Sequence, residues 1–543
     1  MGISSPSQKE TDLKQGAKDW LADLGYFPLT RDETNFLKQV TLGNKIEPMQ
    51  GRTSKPQDKT IRAALIRWLC SDKDAQALVW PEGIGIEYVT IEGEKISFFQ
   101  NNVLGLNLSS LKIPFPIILH HCVLPDWLLL LGTDIPFLDL DGCKVDSIKA
   151  DVLKVRGDLY MRCVDHKEKG GVIKLLGATI GGDLDLGGAR LKYGGAGLDD
   201  RFLGEKHLVL NAEGIKVEGD VHFTAWEKKE GGANKDKFLA EGGISLDEAQ
   251  IGSDIKCDGA SLTFWENKKV NGDALTLRGA TIKGHIYFSD GFRSVGPVRL
   301  PGAEIGQSVD CTDGHFCNPW RQGNKSSGVA LELDGADIKL DLKLSGQSKA
   351  RGASACGTVS LVGAKIGRVF DCRFGRFRQS DVPIGHVEHR WRPALDLTSA
   401  HVGVLSYPFG FSKVELPKGQ LALDGFVYDR VDGAIDRKIC LEWIKLQYPQ
   451  KNPDETNFKS QPYLQLAKLL RETGKSRDAR HVLSTYNGAA PAPRAVQALG
   501  MGTMPGYRLW LPPGSSARID DPAHTNWIPY LLAGGYPRFN DAH

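Results

Sequence analysis

The sequence lacks most of the signals that would assign a chemistry directly. Its 543 residues carry 68 Lys and Arg against 66 Asp and Glu, which gives a formal net charge of +2. This balance creates neither the basic field typical of nucleic-acid-binding proteins nor a strongly acidic surface. The ten cysteines include no Cys-x-x-Cys pair, so a disulfide framework is not indicated. We expect reduced, buried thiols, no metal and no cofactor.

Long hydrophobic runs are also lacking. The most apolar stretch, 124–140, is interrupted by Pro125, Asp126, Asp134 and Pro136, and it falls short of the roughly 20 residues that a membrane helix needs. The start, MGISSPSQKETD, has no basic stretch followed by an apolar run, so we expect no secretory signal. These features predict a cytoplasmic protein without a transmembrane span, and they leave peripheral membrane contact open.

What the chain does contain is a repeated phrase between residues 173 and 408. An alternating strand is followed by Gly-Ala or a similar pair, an aliphatic anchor residue, Gly-x-Asp or a relative of it, and a second alternating strand. The anchors are Ile180, Val217, Ile251, Ile282, Ile305, Ile338, Ile366 and Val402. Their spacings run from 23 to 37 residues, and a stack of coils tolerates such variation because an extra loop can leave one corner without disturbing the strands.

The residues after each anchor alternate in the manner of a strand with one buried face. Four positions past the anchors the residues are Leu184, Val221, Ile255, Ile286, Val309, Leu342, Phe370 and Ser406, all apolar except the last. Six positions past them lie Leu186, Phe223, Cys257, Phe288, Cys311, Leu344, Cys372 and Pro408. Like residues at equal positions predict inward ladders, in which we expect Cys257, Cys311 and Cys372 to act as small core residues.

This pattern predicts a mainly β protein, a right-handed β-solenoid (β-helix) with helical caps at both ends. Residues 1–84 form the predicted N-terminal cap region, with a helix expected over 57–72, and residues 85–432 form the solenoid with its loop insertions. Residues 433–487 are predicted to hold helices that include a hairpin of tetratricopeptide type. From residue 488 onward the chain is rich in Pro, Gly and aromatic residues, and we expect an irregular tail.

Several phrases resemble known families. GATIGGDLDLGGARL and LRGATIKG resemble the repeats of bacterial pentapeptide-repeat-like and bactofilin-like β-helix proteins. TIRAALIRWLCSD, LNLSSLKIPFPIILHHC, LDGFVYDRV and QPYLQLAKLLRETGKSRDARHVL together are similar to bacterial proteins labelled membrane-associated oxidoreductases, over roughly residues 57–486. The resemblance implies a β-helix fold but brings no catalytic residues with it. The oxidoreductase label finds no support in the residues, because the glycine clusters lie on predicted turns and not between a strand and a helix.

A polar rank lies three positions past the anchors. It comprises Asp183, Asp220, Asp254, His285, Ser308 and Asp341, and it ends at Val369. Stacked coils would place these side chains about 4.8 Å apart, and rows of carboxylates of this kind can act as acid and base on a polysaccharide. The structural interpretation, which we favour, is that each Asp accepts backbone hydrogen bonds in a corner turn. Asp220, Asp254 and His285 are the best catalytic candidates because they would be adjacent.

Two further groups are candidates for binding. Arg368, Arg373, Arg376 and Arg378 could hold an anionic partner, although such a run is more often a solvated face. Trp510, Trp527 and Tyr530 could dock the tail on a partner. His315, beside Cys311 and Cys317, and the pair His386 and His389 are close Cys and His groupings, and neither makes a good metal site.

The sequence favours a bacterial scaffold over an enzyme. A solenoid uses its residues for stacking and leaves rigid faces for protein partners or self-association, and no convergent catalytic set stands out here. Nucleic acid is not the expected partner, given the charge balance. The alternative is a β-helix enzyme that acts on a glycan or another polymer through the row of Asp residues.

Overall fold

A computed structural model of the protein describes most of the chain up to residue 489. The described residues are 6–26, 28–42, 59–98, 101–167, 170–193, 207–227, 235–264, 272–319, 327–346, 352–379, 393–407, 416, 419–433, 435–448 and 458–489. The structure is mainly β, with many short parallel strands in long sheets and few helices.

The chain visits the same sheets in the same order many times. One circuit begins at strand Leu275–Thr276 and continues through Thr281–Ile282, Ile286–Tyr287 and Arg293–Val295 before it reaches Val298–Arg299. This last strand pairs in parallel with the first, with Leu275 opposite Val298. Each circuit therefore adds one strand to each of these sheets. The circuit from Leu275 to Val298 takes 23 residues, which is the shortest anchor spacing, and the earlier circuit from Ile135 to Val155 is shorter still.

Three long sheets collect these strands. The nine-stranded sheet contains Lys144–Val145, Asp165–His166, Arg190–Lys192, Leu239–Glu241, Ser261–Thr263, Arg293–Val295, His315–Cys317, Ser354–Cys356 and Arg376–Arg378. The thirteen-stranded sheet contains Glu94–Phe98, Asn101–Asn107, Trp127–Leu129, Ser147–Lys149, Ile173–Lys174, Leu208–Asn211, Gly243–Ser245, Leu275–Thr276, Val298–Arg299, Val329–Glu332, Thr358–Ser360, Leu395–Asp396 and Leu421–Ala422.

The twenty-one-stranded sheet consists of two runs that meet at a corner. The first run, which holds the anchors, contains Asp134–Ile135, Lys154–Val155, Thr179–Ile180, Lys216–Val217, Gln250–Ile251, Thr281–Ile282, Glu304–Ile305 and Asp337–Ile338. The second run contains Ile84–Glu87, Ile117–His120, Leu138–Asp139, Leu159–Tyr160, Leu184–Asp185, Val221–His222, Ile255–Lys256, Ile286–Tyr287, Val309–Asp310 and Leu342–Lys343. Three longer strands take part in both runs: Lys365–Asp371, His401–Ser406 and Val427–Val431.

Two small sheets complete the strands that the structure describes. Thr60–Arg62 pairs in parallel with Thr90–Glu92, and Trp226–Glu227 pairs in antiparallel fashion with Lys235–Asp236.

The predicted inward ladders are confirmed. All eight anchors are buried, and so are the apolar residues four positions past them from Leu184 to Phe370. Cys257, Cys311 and Cys372 are also buried in the core, where burial raises the pKa of each thiol. Complete burial of one aliphatic side chain contributes roughly 1.5–3 kcal/mol, so the repeated ladder is a major source of stability.

The predicted ladder is wrong at its last member. Ser406 was expected opposite Phe370, but Phe370 pairs with Leu405, and the register between the two strands shifts between Ile366 and Val369. Strand Lys365–Asp371 thus contains one extra residue relative to His401–Ser406. The apolar ladder continues through Leu405, which is completely buried, and the polar Ser406 does not interrupt it.

The Gly-Ala pair of the repeat is explained by the turn that precedes each anchor. Gly279 has a φ of 61°, in the left-handed region that glycine adopts without strain, and Ala280 is completely buried beside it. Glu248 occupies the same place in the preceding circuit with a φ of 58°, so the turn keeps its shape even where the residue is not glycine.

Helices lie on both sides of the strands in the chain. They are Pro6–Asp23, Arg31–Leu42, Ala63–Ser71, Lys73–Leu78, Arg437–Lys445, Gln461–Glu472 and Ser476–Ala489. The predicted hairpin after residue 460 is confirmed by the last two helices, which contact each other. The helix expected over 57–72 is shorter, because Thr60–Arg62 is a strand and the helix begins at Ala63.

The glycine that stands directly before a member of the polar rank predicts a sharp effect on stability. A Cβ on Gly284 would clash with the Asp254 carboxylate and lie 2.6 Å from the carbonyl oxygen of Ser253, so Gly284→Ala should lower the free energy of unfolding by roughly 1–3 kcal/mol. Gly85→Ala is the matched control, because a Cβ there meets no atom within 4 Å. Urea unfolding of both variants would measure this, and equal stabilities would contradict the packing described here.

Candidate functional site

The polar rank predicted from the sequence forms a continuous chain of hydrogen bonds at one corner. We call it the corner rank and extend it by one circuit, so that it comprises Asp158, Asp183, Asp220, Asp254, His285, Ser308 and Asp341. The side chain of each member accepts a hydrogen bond from the backbone N–H of the residue one circuit later, over 2.7–3.2 Å, and the last acceptor, Asp341, is used by Val369. These are the contacts that the structural interpretation of the rank requires.

Glycine allows these acceptors to reach the backbone. Gly182, Gly219 and Gly284 precede rank members, and a Cβ on any of them would overlap the carboxylate of the preceding circuit. Where glycine stands directly before a rank member, it therefore leaves room for the carboxylate of the preceding circuit to reach the backbone N–H of that member. A carboxylate that accepts a backbone N–H stabilises the turn, since an unpaired backbone donor at a half-buried position is costly.

Asp220, Asp254 and His285 are adjacent, as the sequence predicts. Asp220 accepts from the Asp254 N–H over 2.9 Å, and Asp254 accepts from the His285 N–H over 2.7 Å. Burial opposes ionisation of Asp220, but hydrogen bonds from Lys256, Ser253 and the Asp254 N–H outweigh it and lower the pKa to about 2. An ionised, ion-paired carboxylate of this kind does not supply the proton that a general acid must donate.

A second polar rank stands beside the corner rank on the same outer face. We call it the face rank, and it comprises Asp139, Tyr160, Asp185, His222, Lys256, Tyr287, Asp310, Lys343, Asp371 and Ser406, which are in register from strand to strand. Opposite charges meet along it, for example Lys343 with Asp310 at 3.0 Å. This rank was not predicted from the sequence, because its residue types change from circuit to circuit.

At one end of the face rank the structure brings together a cluster that sequence reasoning also missed. Nδ1 of His120 lies 3.3 Å from Glu87, and its Nε2 lies 2.9 Å from Asp139. The hydrogen bonds to Asp139 and then to Glu87 raise the pKa of His120 to about 10. The ring of His120 is therefore protonated at neutral pH, and the imidazolium donates a hydrogen bond to a carboxylate on each side.

Arg162 completes this cluster. Its Nε donates to Asp141 over 2.7 Å, and its guanidinium lies over the rings of Tyr160 and Trp226, 4.2 and 4.4 Å from their centroids. Burial raises the pKa of Asp141, and the hydrogen bond from Arg162 opposes this effect. Stacking of this kind strengthens an arginine ion pair by restricting the guanidinium.

The donor set of His120, Asp139 and Asp141 is the group in the described part of the chain whose spacing suits a metal ion. Their candidate ligand atoms lie within 4.8 Å of one another. A histidine ligand must be neutral, however, and here both ring nitrogens face carboxylates that keep the ring protonated. Arg162 already neutralises Asp141. The contacts fit a salt-bridge network better than a metal centre.

The four arginines predicted as an anion site lie on two strands and the turn between them: Arg368 is on Lys365–Asp371, Arg373 is in the turn, and Arg376 and Arg378 are on Arg376–Arg378. Arg368 makes a two-point ion pair with Asp341, and Arg373 makes one with Asp371. Carboxylates therefore already neutralise these two. Arg376 and Arg378 lie on a strand of the nine-stranded sheet, on either side of the buried Phe377.

Other predicted residues fall outside the part of the chain that the structure describes. These are His386, His389 and the tail residues Trp510, Trp527 and Tyr530. No helix among the described residues is both long and apolar enough to cross a membrane.

Comparisons were made with models of known protein families, with curated proteins and with solved structures, and none of the three finds a match to this chain.

The role of the corner rank is testable at Asp254. Asp254→Ala removes the acceptor of the His285 N–H and should cost roughly 1–3 kcal/mol of stability. Asp254→Asn keeps a carbonyl oxygen at the same place and should cost less than about 1 kcal/mol. Thermal or urea unfolding would compare the two variants. Equal stability of both with the parent would show that the carboxylate is not needed for the turn.

The raised pKa of His120 predicts a pH-dependent contribution to stability. Because the folded pKa lies above the unfolded value of about 6.5, the contribution is complete below about pH 6.5 and is lost as the pH rises through about 10. His120→Gln should therefore destabilise the protein at pH 7 by roughly 2–3 kcal/mol, and this difference should shrink towards pH 10.

The control for this measurement is His401→Gln. His401 also contacts one carboxylate, Asp429, at 3.2 Å, but the two side chains are 54% and 62% exposed. An ion pair so exposed contributes little, so this variant should match the parent at every pH. An equal loss in both variants, or a His120→Gln loss that does not change with pH, would contradict the assignment.

Proposed function

We propose that the parallel sheets close into a right-handed β-solenoid with helical caps, and that this solenoid is a rigid binding surface for a protein partner or a second copy of the chain. The proposal of a solenoid is supported by the circuits, each of which returns to the same sheets one strand further along. In a solenoid each repeat contacts only its neighbours and the lateral faces remain available.

The observation that carries the proposal is that the corner rank is engaged in hydrogen bonds to the backbone. Each of its side chains accepts a backbone N–H from the following circuit. Asp220 and Asp341 also have their pKa values lowered, Asp220 by Lys256 and other hydrogen-bond donors against the opposing effect of burial, and Asp341 chiefly by Arg368. Groups held in this way stabilise a scaffold, whereas a glycan-cleaving enzyme needs one carboxyl group with a raised pKa to act as acid.

The last strand supports lateral binding rather than growth from an end. Strand Val427–Val431 offers backbone carbonyls beside the helix Gln461–Glu472. Nε2 of Gln465 donates to the Tyr428 carbonyl over 2.7 Å, and Nε2 of Gln461 donates to the Phe426 carbonyl over 3.0 Å. Side chains that occupy an edge in this way prevent another strand from pairing there.

The face rank is the surface that we propose for binding. Its charged and aromatic side chains are spaced by the strand separation of about 4.8 Å, and most are half-buried on a rigid sheet. Residues of this kind lose little conformational freedom when a partner binds, and tyrosine is frequent among the residues that dominate the binding energy of protein interfaces. A partner with complementary charges is the expected ligand.

A pair of matched double variants tests this proposal. Tyr287→Ser with Lys343→Glu alters the face rank, and Thr281→Ser with Lys216→Glu makes the same charge reversal, with a smaller change to serine, at exposed positions of the first run. The tagged full-length proteins would be used to capture partners from the producing cells, and light scattering would measure self-association. We expect the first variant to lose binding by at least about tenfold and the second to bind like the parent.

Two outcomes would overturn the proposal. One is a parent protein that neither retains a stoichiometric partner nor self-associates. The other is cleavage of a polysaccharide that the double variant Asp220→Asn with Asp254→Asn abolishes while its unfolding curve matches that of the parent. That second result would establish the row of Asp residues as an active site.

A further inference from the structure

The nine-stranded sheet carries a surface of unusual composition on four consecutive strands. We call it the thiol patch, and its outward residues are Arg293 and Val295, His315 and Cys317, Ser354 and Cys356, and Arg376 and Arg378. In each strand the residue between the two points inward and is buried. The register places Val295, Cys317, Cys356 and Arg378 in one row, and Arg293, His315, Ser354 and Arg376 in the other.

Cys317 and Cys356 are therefore direct neighbours across two parallel strands. Cys356 is exposed, Cys317 is half-buried, and neither takes part in a disulfide. The Cα atoms of paired strand residues lie about 4.8 Å apart, within the window of about 4.4–6.8 Å that disulfides require. Cys317 is also the largest cause of the lowered pKa of Cys356, as expected for two thiols that are paired across adjacent strands.

The surroundings of the pair favour the thiolate of Cys356. The hydrogen bond from Cys317 and the charge of Arg378 lower the pKa of Cys356 to about 6, against the opposing effect of partial burial. In the parallel row, Nδ1 of His315 lies 2.6 Å from Oγ of Ser354. Burial and then Arg293 and Arg376 lower the pKa of His315, while Asp313 opposes them. The patch is positively charged through its arginines and is suited to reagents that carry anionic groups.

We propose that Cys317 and Cys356 form a reversible disulfide site that reacts with low-molecular-weight disulfides bearing carboxylate groups. The thiolate of Cys356 attacks one sulfur of the small disulfide, which forms a mixed disulfide and releases one small thiolate. Cys317 then loses its proton to solvent and attacks the Cys356 sulfur, which closes the protein disulfide and releases the second thiolate. After both thiolates take up protons, two protein thiols have been oxidised and one small disulfide has been reduced to two thiols.

The other cysteines of the chain provide an internal comparison. Cys70, Cys143, Cys257, Cys311, Cys372 and Cys440 are buried, and burial raises the pKa of each. The thiols of Cys122 and Cys143 each donate a hydrogen bond to a backbone carbonyl, and both lie in the core, out of reach of a reagent. Cys163 is half-buried like Cys317 and serves as the accessible reference thiol.

The first experiment uses the full chain and oxidised glutathione as the probe. The reduced protein is equilibrated with a series of ratios of oxidised to reduced glutathione, trapped by alkylation and digested for peptide mass mapping. We expect a peptide that links Cys317 to Cys356 and a Cys163 that remains alkylated. Absence of this linked peptide at every ratio, with both thiols alkylated, would overturn the proposal.

Two variants assign the roles of the thiols. Cys317→Ser should stop the reaction at a lasting glutathione adduct on Cys356, and Cys356→Ser should form neither the adduct nor the link. Cys163→Ser is the control and should behave like the parent. If the parent itself accumulates the same lasting adduct as Cys317→Ser, the two cysteines do not act as a pair and the proposal fails.

Reactivity provides a readout that does not depend on disulfide formation. At pH 6 iodoacetamide should modify Cys356 about tenfold faster than Cys163, because a larger thiolate fraction outweighs the weaker nucleophilicity of a low-pKa thiol. Arg378→Ala should reduce this advantage and shift the midpoint of the rate profile to higher pH. Equal rates for the two thiols across pH 5–9 would contradict an activated Cys356.

Discussion

The register between successive circuits governs the rest of the structure. Every inward side chain packs on the side chain at the same position one circuit away, as Leu184, Val221 and Ile255 do in turn. At the corner the same register places a backbone N–H within 2.7–2.9 Å of the carboxylate before it along Asp158, Asp183, Asp220 and Asp254. Because both interactions require the same alignment, core packing and polar contacts reinforce one another, and loops of variable length can enter between strands without loss of either.

This constraint explains why so much of the fold could be predicted from the sequence. A position that must be apolar in one circuit must be apolar in all of them, so the anchors and the buried cysteines repeat in a recognisable phrase. Glycine recurs directly before members of the corner rank for an equally local reason, since it leaves room for a carboxylate that binds the next circuit. The helical hairpin after residue 460 was predictable from its apolar spacing alone.

The features that were not predicted depend on how successive circuits are aligned rather than on any single stretch of sequence. One extra residue near Ile366 changes the partner of Phe370 from Ser406 to Leu405, and no pattern within the strand announces it. His120 and Asp139 are 19 residues apart, and Cys317 and Cys356 are 39 residues apart with an insertion between them. Such pairs can be identified as neighbours only when every insertion between them has been placed correctly in the circuits. Helices were predicted for the region 1–84 as a whole, but the bounds of Pro6–Asp23 and Arg31–Leu42 were not, because these two helices lie outside the repeat.

The division between repeated and changing positions also bears on function. The corner rank repeats because it joins successive circuits: each of its side chains accepts a hydrogen bond from the backbone of the following circuit. The outward positions beside it are free of that requirement, and there the residue types change from Asp to Tyr, His and Lys along one straight row. Perturbed groups gather at such changing positions, notably His120 with Asp141 and, on another sheet, Cys356. A core that fixes the spacing of the outward residues while leaving their types variable supports the proposed role in binding, because the outer faces can differ without altering the interactions that hold the circuits together.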